Sequence, residues 1–160
     1  MNRLARKVCV ITGAAGGIGS TSAQRFQDEG ATVVGVDLHD GSPGELALEV
    51  DVTDEAAVRD MYARVRDELG RIDVLFNNAG ISPDDDTSVL DTTLEAWQRV
   101  QDVNLKSVFL CCKHGIPHLL ETGVISVNSN TSVRVSTPFG GFKQSGVWRE
   151  LGPHALEHYS

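Results

Sequence analysis

The chain is short of several things, and each shortage closes a class of function. No apolar run approaches the ~18–20 residues that a membrane-spanning helix requires. Cysteine is scarce and odd in number, with Cys9 alone and Cys111 and Cys112 adjacent, so there is no disulfide framework. Positive charge is also short: 14 Lys and Arg stand against 22 Asp and Glu, a net charge of −8. A nucleic-acid partner needs a basic face for its phosphates, and this composition does not supply one. Tyrosine is nearly missing, with Tyr62 and Tyr159 the only two. Arg3, Arg6 and Lys7 before Val8–Thr12 look like the start of a secretory signal, but the apolar stretch is short and runs into glycines. It reads instead as a first strand, and the expected location is cytoplasmic, with no membrane partner.

What is present alternates between two periods. Val8–Ile11 is an apolar run that enters Thr12-Gly13-Ala14-Ala15-Gly16-Gly17-Ile18-Gly19. Ile18, Ala23 and Phe26 are expected on one helical face, stopped by Gly30. Thr32–Val36, closed by Asp37, and Leu46–Val50, closed by Asp51, read as two more strands. Thr53 is the expected N-cap of a helix whose stripe is Val58, Met61, Tyr62, Val65 and Leu69, ended by Gly70. Val74–Phe76 is a fourth strand, entering Asn77-Asn78-Ala79-Gly80. Thr92 and Glu95 form a capping box for a helix through Trp97 and Val100, and a further helical run covers Leu105–Leu120. Strands alternating with helices of this length imply an α/β fold, a truncated doubly wound parallel sheet of Rossmann type. The expected strand order is 3-2-1-4, with a possible fifth strand at Val124–Val127 and a short irregular tail.

The chemistry lies in the turn after the first strand. A glycine-rich turn that follows a strand, opens a helix and precedes an acidic residue at the next strand's end is a dinucleotide fingerprint. Here the acid is Asp37, 24 positions after Gly13. Gly13 permits the tight turn, while Gly17 and Gly19 let the backbone and the helix approach a pyrophosphate. The helix N-terminus at Ile18 offers unpaired N–H groups and a positive dipole end. Asp37 can accept hydrogen bonds from both ribose hydroxyls and repels a 2′-phosphate, which points to NAD over NADP. Ala15 and Leu38 complete this side of the expected site.

These residues resemble the short-chain dehydrogenase/reductase superfamily. Thr12-Gly-x-x-x-Gly17-x-Gly19, Asp37, Asp51-Val52, Asn77-Asn78-Ala79-Gly80 and Asn104 match its motifs in order. The resemblance implies that Asp51 and Val52 flank the adenine, and that Asn78, Ala79 and Gly80 support the sheet and line the cofactor. It also implies that Asn104 is the helix asparagine that holds a water in the family's proton relay.

The same family's chemistry calls for a serine and then Tyr-x-x-x-Lys on a helix, a pair that handles the substrate proton. Tyr62 is followed four residues on by Arg66, and Tyr159 stands next to last. Ser129 can mimic the serine, but the spacing then puts the tyrosine at Phe142 or Lys143, with Gly146 near the lysine position. The segment from 123 onward resembles instead the C-terminal end of aldehyde dehydrogenases. That likeness rests on Val127-Asn128, Pro138-Phe139-Gly140-Gly141-Phe142-Lys143-Gln144-Ser145-Gly146, Arg149-Glu150-Leu151-Gly152, Leu156 and Tyr159, with Trp148 standing where that family has glycine. Neither Cys111 nor Cys112 sits in that family's nucleophile motif, which excludes aldehyde oxidation by the usual cysteine. Composition shifts at the same place, from a net −9 over residues 1–122 to +1 over 123–160. The expected organisation is an NAD-binding half-domain, 1–122, joined to an aldehyde-dehydrogenase-like segment, 123–160, as a gene fusion or a deliberate chimera would make.

Three functions follow. The first is an NAD(H)-binding oxidoreductase fragment without catalytic competence. The second is a working NAD-dependent oxidoreductase on an alcohol or carbonyl, with Ser129 or Lys143 as substitute acid/base. The third is a non-enzymatic module that binds a parent dehydrogenase. A homo-oligomer is expected through an open sheet edge and a bare helix face bearing Val108, Cys111, Ile116 and Leu119. The pairs His114/His118 and His154/His158 lack a third ligand, so they read as surface histidines and no metal site is expected. Asp84-Asp85-Asp86 reads as a solvated loop.

Overall fold

The computed structural model describes residues 2–119 and two short strands, Phe139–Gly140 and Arg149–Glu150. The expected fifth strand at 124–127 and most of segment 123–160 lie outside the described residues. The chain divides into two compact units, residues 1–118 and 119–160. In the first, β1 (Val8–Thr12), β2 (Thr32–Asp37), β3 (Leu46–Glu49) and β4 (Val74–Phe76) form a wholly parallel sheet in the order 3-2-1-4. This is the expected order. Val10 pairs with Val34 on one side and Leu75 on the other, so the centre of the sheet is built from β-branched and branched-chain residues. In the second unit, β5 (Phe139–Gly140) and β6 (Arg149–Glu150) pair antiparallel.

Helices cover both faces of the parallel sheet. Ala23 and Phe26 of α1 (Gly17–Asp28) pack on Cys9, Ile11 and Val33, with Val74 and Phe76 beside them. Alternation along the strands sends Val10, Val34 and Leu75 to the other face. There α2 (Glu55–Leu69) buries Val58, Met61, Tyr62 and Val65, the expected stripe, with Leu69 half-buried. Gly70 ends α2 in the left-handed region at φ 76°. The final helix passes so close that a Cβ on Gly115 would lie 2.3 Å from Leu75 Cδ1 and 3.0 Å from Tyr62 Cζ.

Several local expectations are corrected. Ile18 is 74% exposed and not on the buried face of α1. At ~100° per residue it stands about 140° around the axis from Ala23, whereas buried Gly19 is one turn before it. The N-cap of α2 is Asp54, not Thr53, with its carboxylate accepting from the N–H groups of Ala56 and Ala57. Thr53 is already committed, donating through N–H and hydroxyl to Asp51 Oδ1. Likewise α3 (Leu94–Gln101) is capped by Thr93, while Thr92 Oγ1 accepts from Thr87 N–H in the preceding loop. The two expected C-terminal helices are continuous, because no glycine or proline interrupts residues 94–114. A single π-helical turn, Asp102–Lys106, joins α3 to α4 (Ser107–Leu119). On α4, Cys111 and Leu119 are buried and Val108 and Ile116 half-buried, while Phe109 is exposed, one turn after the exposed Leu105 of the π-helical turn.

Candidate functional site

The C-terminal ends of β1, β2 and β4 bring three turns together. After Thr12 the chain reverses at Gly13, where φ is +65° and a Cβ would fall 2.9 Å from Ala79 Cα. Two residues into α1, a Cβ on Gly19 would sit 2.0 Å from Gly13 O, so the helix can start against the turn only with glycine there. Gly17 differs from both: a Cβ there meets nothing within 4 Å, and the residue faces an open cleft.

Neutral hydrogen bonds join the turns. Thr12 Oγ1 accepts from the N–H groups of Asn78 and Ala79 at 3.0 and 3.1 Å. Asn78 Nδ2 returns bonds to the carbonyls of Thr12 and Gly13. Asn104, on the π-helical turn, spends its side-chain amide on one residue: Oδ1 accepts from Ile81 N–H at 2.7 Å and Nδ2 donates to Ile81 O at 2.8 Å. The opposite wall is held by Asp37. Its Oδ2 accepts from Ala15 N–H at 2.9 Å and its Oδ1 from Leu38 N–H at 2.8 Å, so the carboxylate is oriented before any ligand arrives.

These turns enclose a cleft of about 470 Å³. Of the twelve residues expected to hold the cofactor, eleven line it: Gly13, Gly17, Ile18, Gly19, Asp37 and Leu38 on one side, and Asp51, Val52, Asn78, Ala79 and Gly80 on the other. Ala15 is the exception, and acts through its N–H on Asp37. Gly16, Val50, Thr53, Ile81 and Val103 also line the cleft, unanticipated by sequence. Four of the five adjoin an expected cofactor-holding residue in the chain. Val103 precedes Asn104, whose helix crosses the cleft, a placement that no local pattern encodes. Ile18 and Leu38 offer exposed apolar surface to the cavity, 74% and 54% accessible. Apolar walls, a backbone cradle left open at Gly17 and a fixed carboxylate together fit a dinucleotide.

Other candidate groups are occupied by structure. Tyr62 is buried beneath α4, and burial pushes its phenol well above the usual value. Burial also raises the thiols of Cys9, to about 12, and Cys111, to about 11, which leaves them protonated and unreactive. Half-buried Cys112 is raised by the same cause, opposed by a hydrogen bond from Asn77. His114 lies 3.0 Å from Glu55, whose carboxylate also takes Lys113, while the ring of His118 rests near that of Tyr62. His154 and His158 lie outside the described residues. Among the described residues no three His, Cys, Asp or Glu side chains are grouped to hold a metal, and no helix is long and apolar enough to cross a membrane. Trp97 is half-exposed, and Asp85 of the acidic loop pairs with Arg99.

The architecture is Rossmann-like, with a glycine-rich turn at the C-terminal edge of the sheet. Comparison with known proteins specifies it further. The family model described as enoyl-(acyl carrier protein) reductase matches residues 13–142, twenty residues past the expected boundary at 122. Meso-2,3-butanediol dehydrogenase of Serratia marcescens is 40% identical over 137 residues, covering 79% of this chain and 54% of that protein. The 3-oxoacyl-[acyl-carrier-protein] reductase of Thermotoga maritima is 37% identical, covering 79% and 57%. Among solved structures, ligand-free aldohexose dehydrogenase of Thermoplasma acidophilum superposes with a TM-score of 0.71 at 35% identity, over 76% of this chain and 47% of that one. A short-chain dehydrogenase from Mycobacterium smegmatis gives 0.68 at 37%, over 74% and 54%. The chain belongs to the short-chain dehydrogenase/reductase family, and spans about half the length of the curated relatives it matches.

Proposed function

We propose that this chain is the cofactor-holding part of an oxidoreductase and that its cofactor is NAD. Family membership supports a nicotinamide dinucleotide; the choice of NAD rests on Asp37. Gly13, Gly17, Gly19 and the start of α1 would take the pyrophosphate, and Asp37 the adenosine ribose. Asp51, Val52 and Leu38 would surround the adenine. When bound, the cofactor supplies hydride-transfer chemistry; the residues here bind and orient it. The observation that carries the reading is the Asp37 carboxylate, held by two backbone N–H groups at the rim of the cleft. A 2′-phosphate beside that fixed charge costs about 1–3 kcal/mol, or roughly ten- to a hundredfold in affinity. Calorimetric titration with NAD and NADP tests this: NAD binds more tightly, and Asp37→Ala removes the difference. Equal affinities in the unaltered protein overturn the assignment.

The 160 residues hold no Tyr-x-x-x-Lys. Asn104, the expected relay residue, has its side-chain amide engaged with Ile81. We therefore read the chain by itself as lacking hydride transfer, with a domain boundary near 122 and an aldehyde-dehydrogenase-like segment after it. That organisation rests on the motif residues of 123–160 and on the change in charge. Steady NADH formation from a panel of alcohols and aldehydes, surviving repurification, would instead show a working oxidoreductase with a substitute acid/base, for which Ser129 and Lys143 are the candidates to replace first. Self-association is favoured by Leu105 and Phe109, 64% and 61% exposed on one helix. Sedimentation of a Phe109→Arg variant against the parent reads it: a shift to the smaller species supports it.

A further inference from the structure

The cofactor cleft does not end at the adenine. A second groove, about 920 Å³, adjoins it and shares Leu38, Asp51, Thr53 and Val103 with it. From there it runs outward along the first turns of α3, over Leu94 and past Glu95 and Gln98. Its floor is apolar, because Leu38 and Leu94 are 54% and 78% exposed there. Its rim is acidic: Asp51, Glu95 and Asp102 face it, with Arg99 as the basic residue on the lining. Arg99 is committed elsewhere, with Nη2 at 2.6 and 2.7 Å from the two carboxylate oxygens of Asp85. Asp102 is shared with Gln98 at 3.1 Å and with Lys106 at 3.9 Å, and Glu95 acts on Arg99 through space, so the lining sets three carboxylates against one guanidinium that Asp85 already pairs.

Resting on the NAD reading above, we propose that this groove is a subsite for a group carried on the exocyclic amine of the adenine, and that a short cationic chain suits it best. With the base between Leu38 and Val52, the shared residues are the adenine's outer wall, and the wall opens into the groove. A substituent there leaves the cleft without displacing protein, lays its methylenes on Leu38 and Leu94 and brings its charge to the Glu95 rim.

The probe is N6-(2-aminoethyl)-NAD, titrated calorimetrically into the full chain beside NAD and the N-acetylated, uncharged derivative. The amine should bind within about threefold of NAD, and about threefold more tightly than its acetylated form at about 20 mM salt, a preference that fades as salt screens the rim. Glu95→Gln should reduce that preference, and Leu94→Trp, which fills the groove from an exposed position, should weaken the amine roughly tenfold while leaving NAD unchanged. Loss of more than about tenfold on adding the substituent, with NAD still bound, overturns the subsite, as does Leu94→Trp weakening both ligands alike. Failure of NAD itself to bind overturns the underlying reading instead.

Discussion

The two edges of the parallel sheet are built from different chemistry. At the C-terminal edge the side chains that join the turns are directed onto backbone: Thr12 and Asn78 onto the turn at 12–13 and 78–79, Asn104 onto Ile81, Asp37 onto Ala15 and Leu38. At the N-terminal edge, buried carboxylates are clamped by half-exposed cations. Asp73 accepts from Val8 N–H and takes Arg71 and Lys7; Glu29 takes Arg3 and Arg25. The side chains of Asp73 and Glu29 are 1% and 4% exposed. Ion pairs can close an edge that has nothing to bind. Where a ligand must enter, neutral bonds to backbone fix the shape and leave the charge of Asp37 as the feature that discriminates.

The largest effect should come from the N-terminal edge. Asp73→Asn leaves Arg71 and Lys7 around an uncharged group and weakens the link to Val8, at a cost of about 2–3 kcal/mol by urea unfolding. NAD affinity of the folded fraction should not change; a matching loss of affinity would show that the two edges are not independent. Acid should act on the same edge. Hydrogen bonds from the Arg3 side chain and backbone hold Glu29 below its ordinary 4.5, at about 2. Burial pushes Asp73 upward, but Arg71, Val8 N–H and Lys7 outweigh it and keep it below its usual value. Because both folded-state values are depressed, their stabilisation is present above the unfolded values. It is lost as pH falls from about 4.5 towards 2. The urea midpoint should fall across that window, and Glu29→Gln should flatten the slope. Asn104→Ala is expected to be milder. It frees Ile81 at about 1 kcal/mol and loosens one wall of the cleft, so NAD should weaken a few-fold while the N-terminal clamps hold. Unchanged NAD affinity in that variant would separate the Ile81 clamp from the binding surface.

Strand order and the position of the cleft were legible because they depend on local patterns. Short β-branched runs, Gly13 at a reversal and Asp37 at a strand end each act within a few residues. What was not legible depends on choices between neighbours. Asp54 caps α2 because Thr53 is drawn back to Asp51, and Thr93 caps α3 because Thr92 closes the loop at Thr87. Ile18 lines the cleft as expected, but it does not share the buried face of Ala23 and Phe26, because five residues of helical period separate it from Ala23 by about 140°. The bond from Ala15 to Asp37 spans 22 residues, and the hold of Asn104 on Ile81 spans 23, so neither could be read along the chain. The π-helical turn carrying Asn104 has no sequence signal of its own.

The central claim is that a dinucleotide lies against the turn at Gly17. The most direct measurement is the thermal shift produced by saturating NAD in the unaltered protein and in Gly17→Ala. A Cβ at that position meets no protein atom within 4 Å, so the variant should melt close to the parent when both are free of ligand. With NAD the parent should rise in Tm and the variant should rise much less, because the methyl occupies the space the pyrophosphate needs. Equal shifts in the two proteins would place the ligand elsewhere and contradict the account.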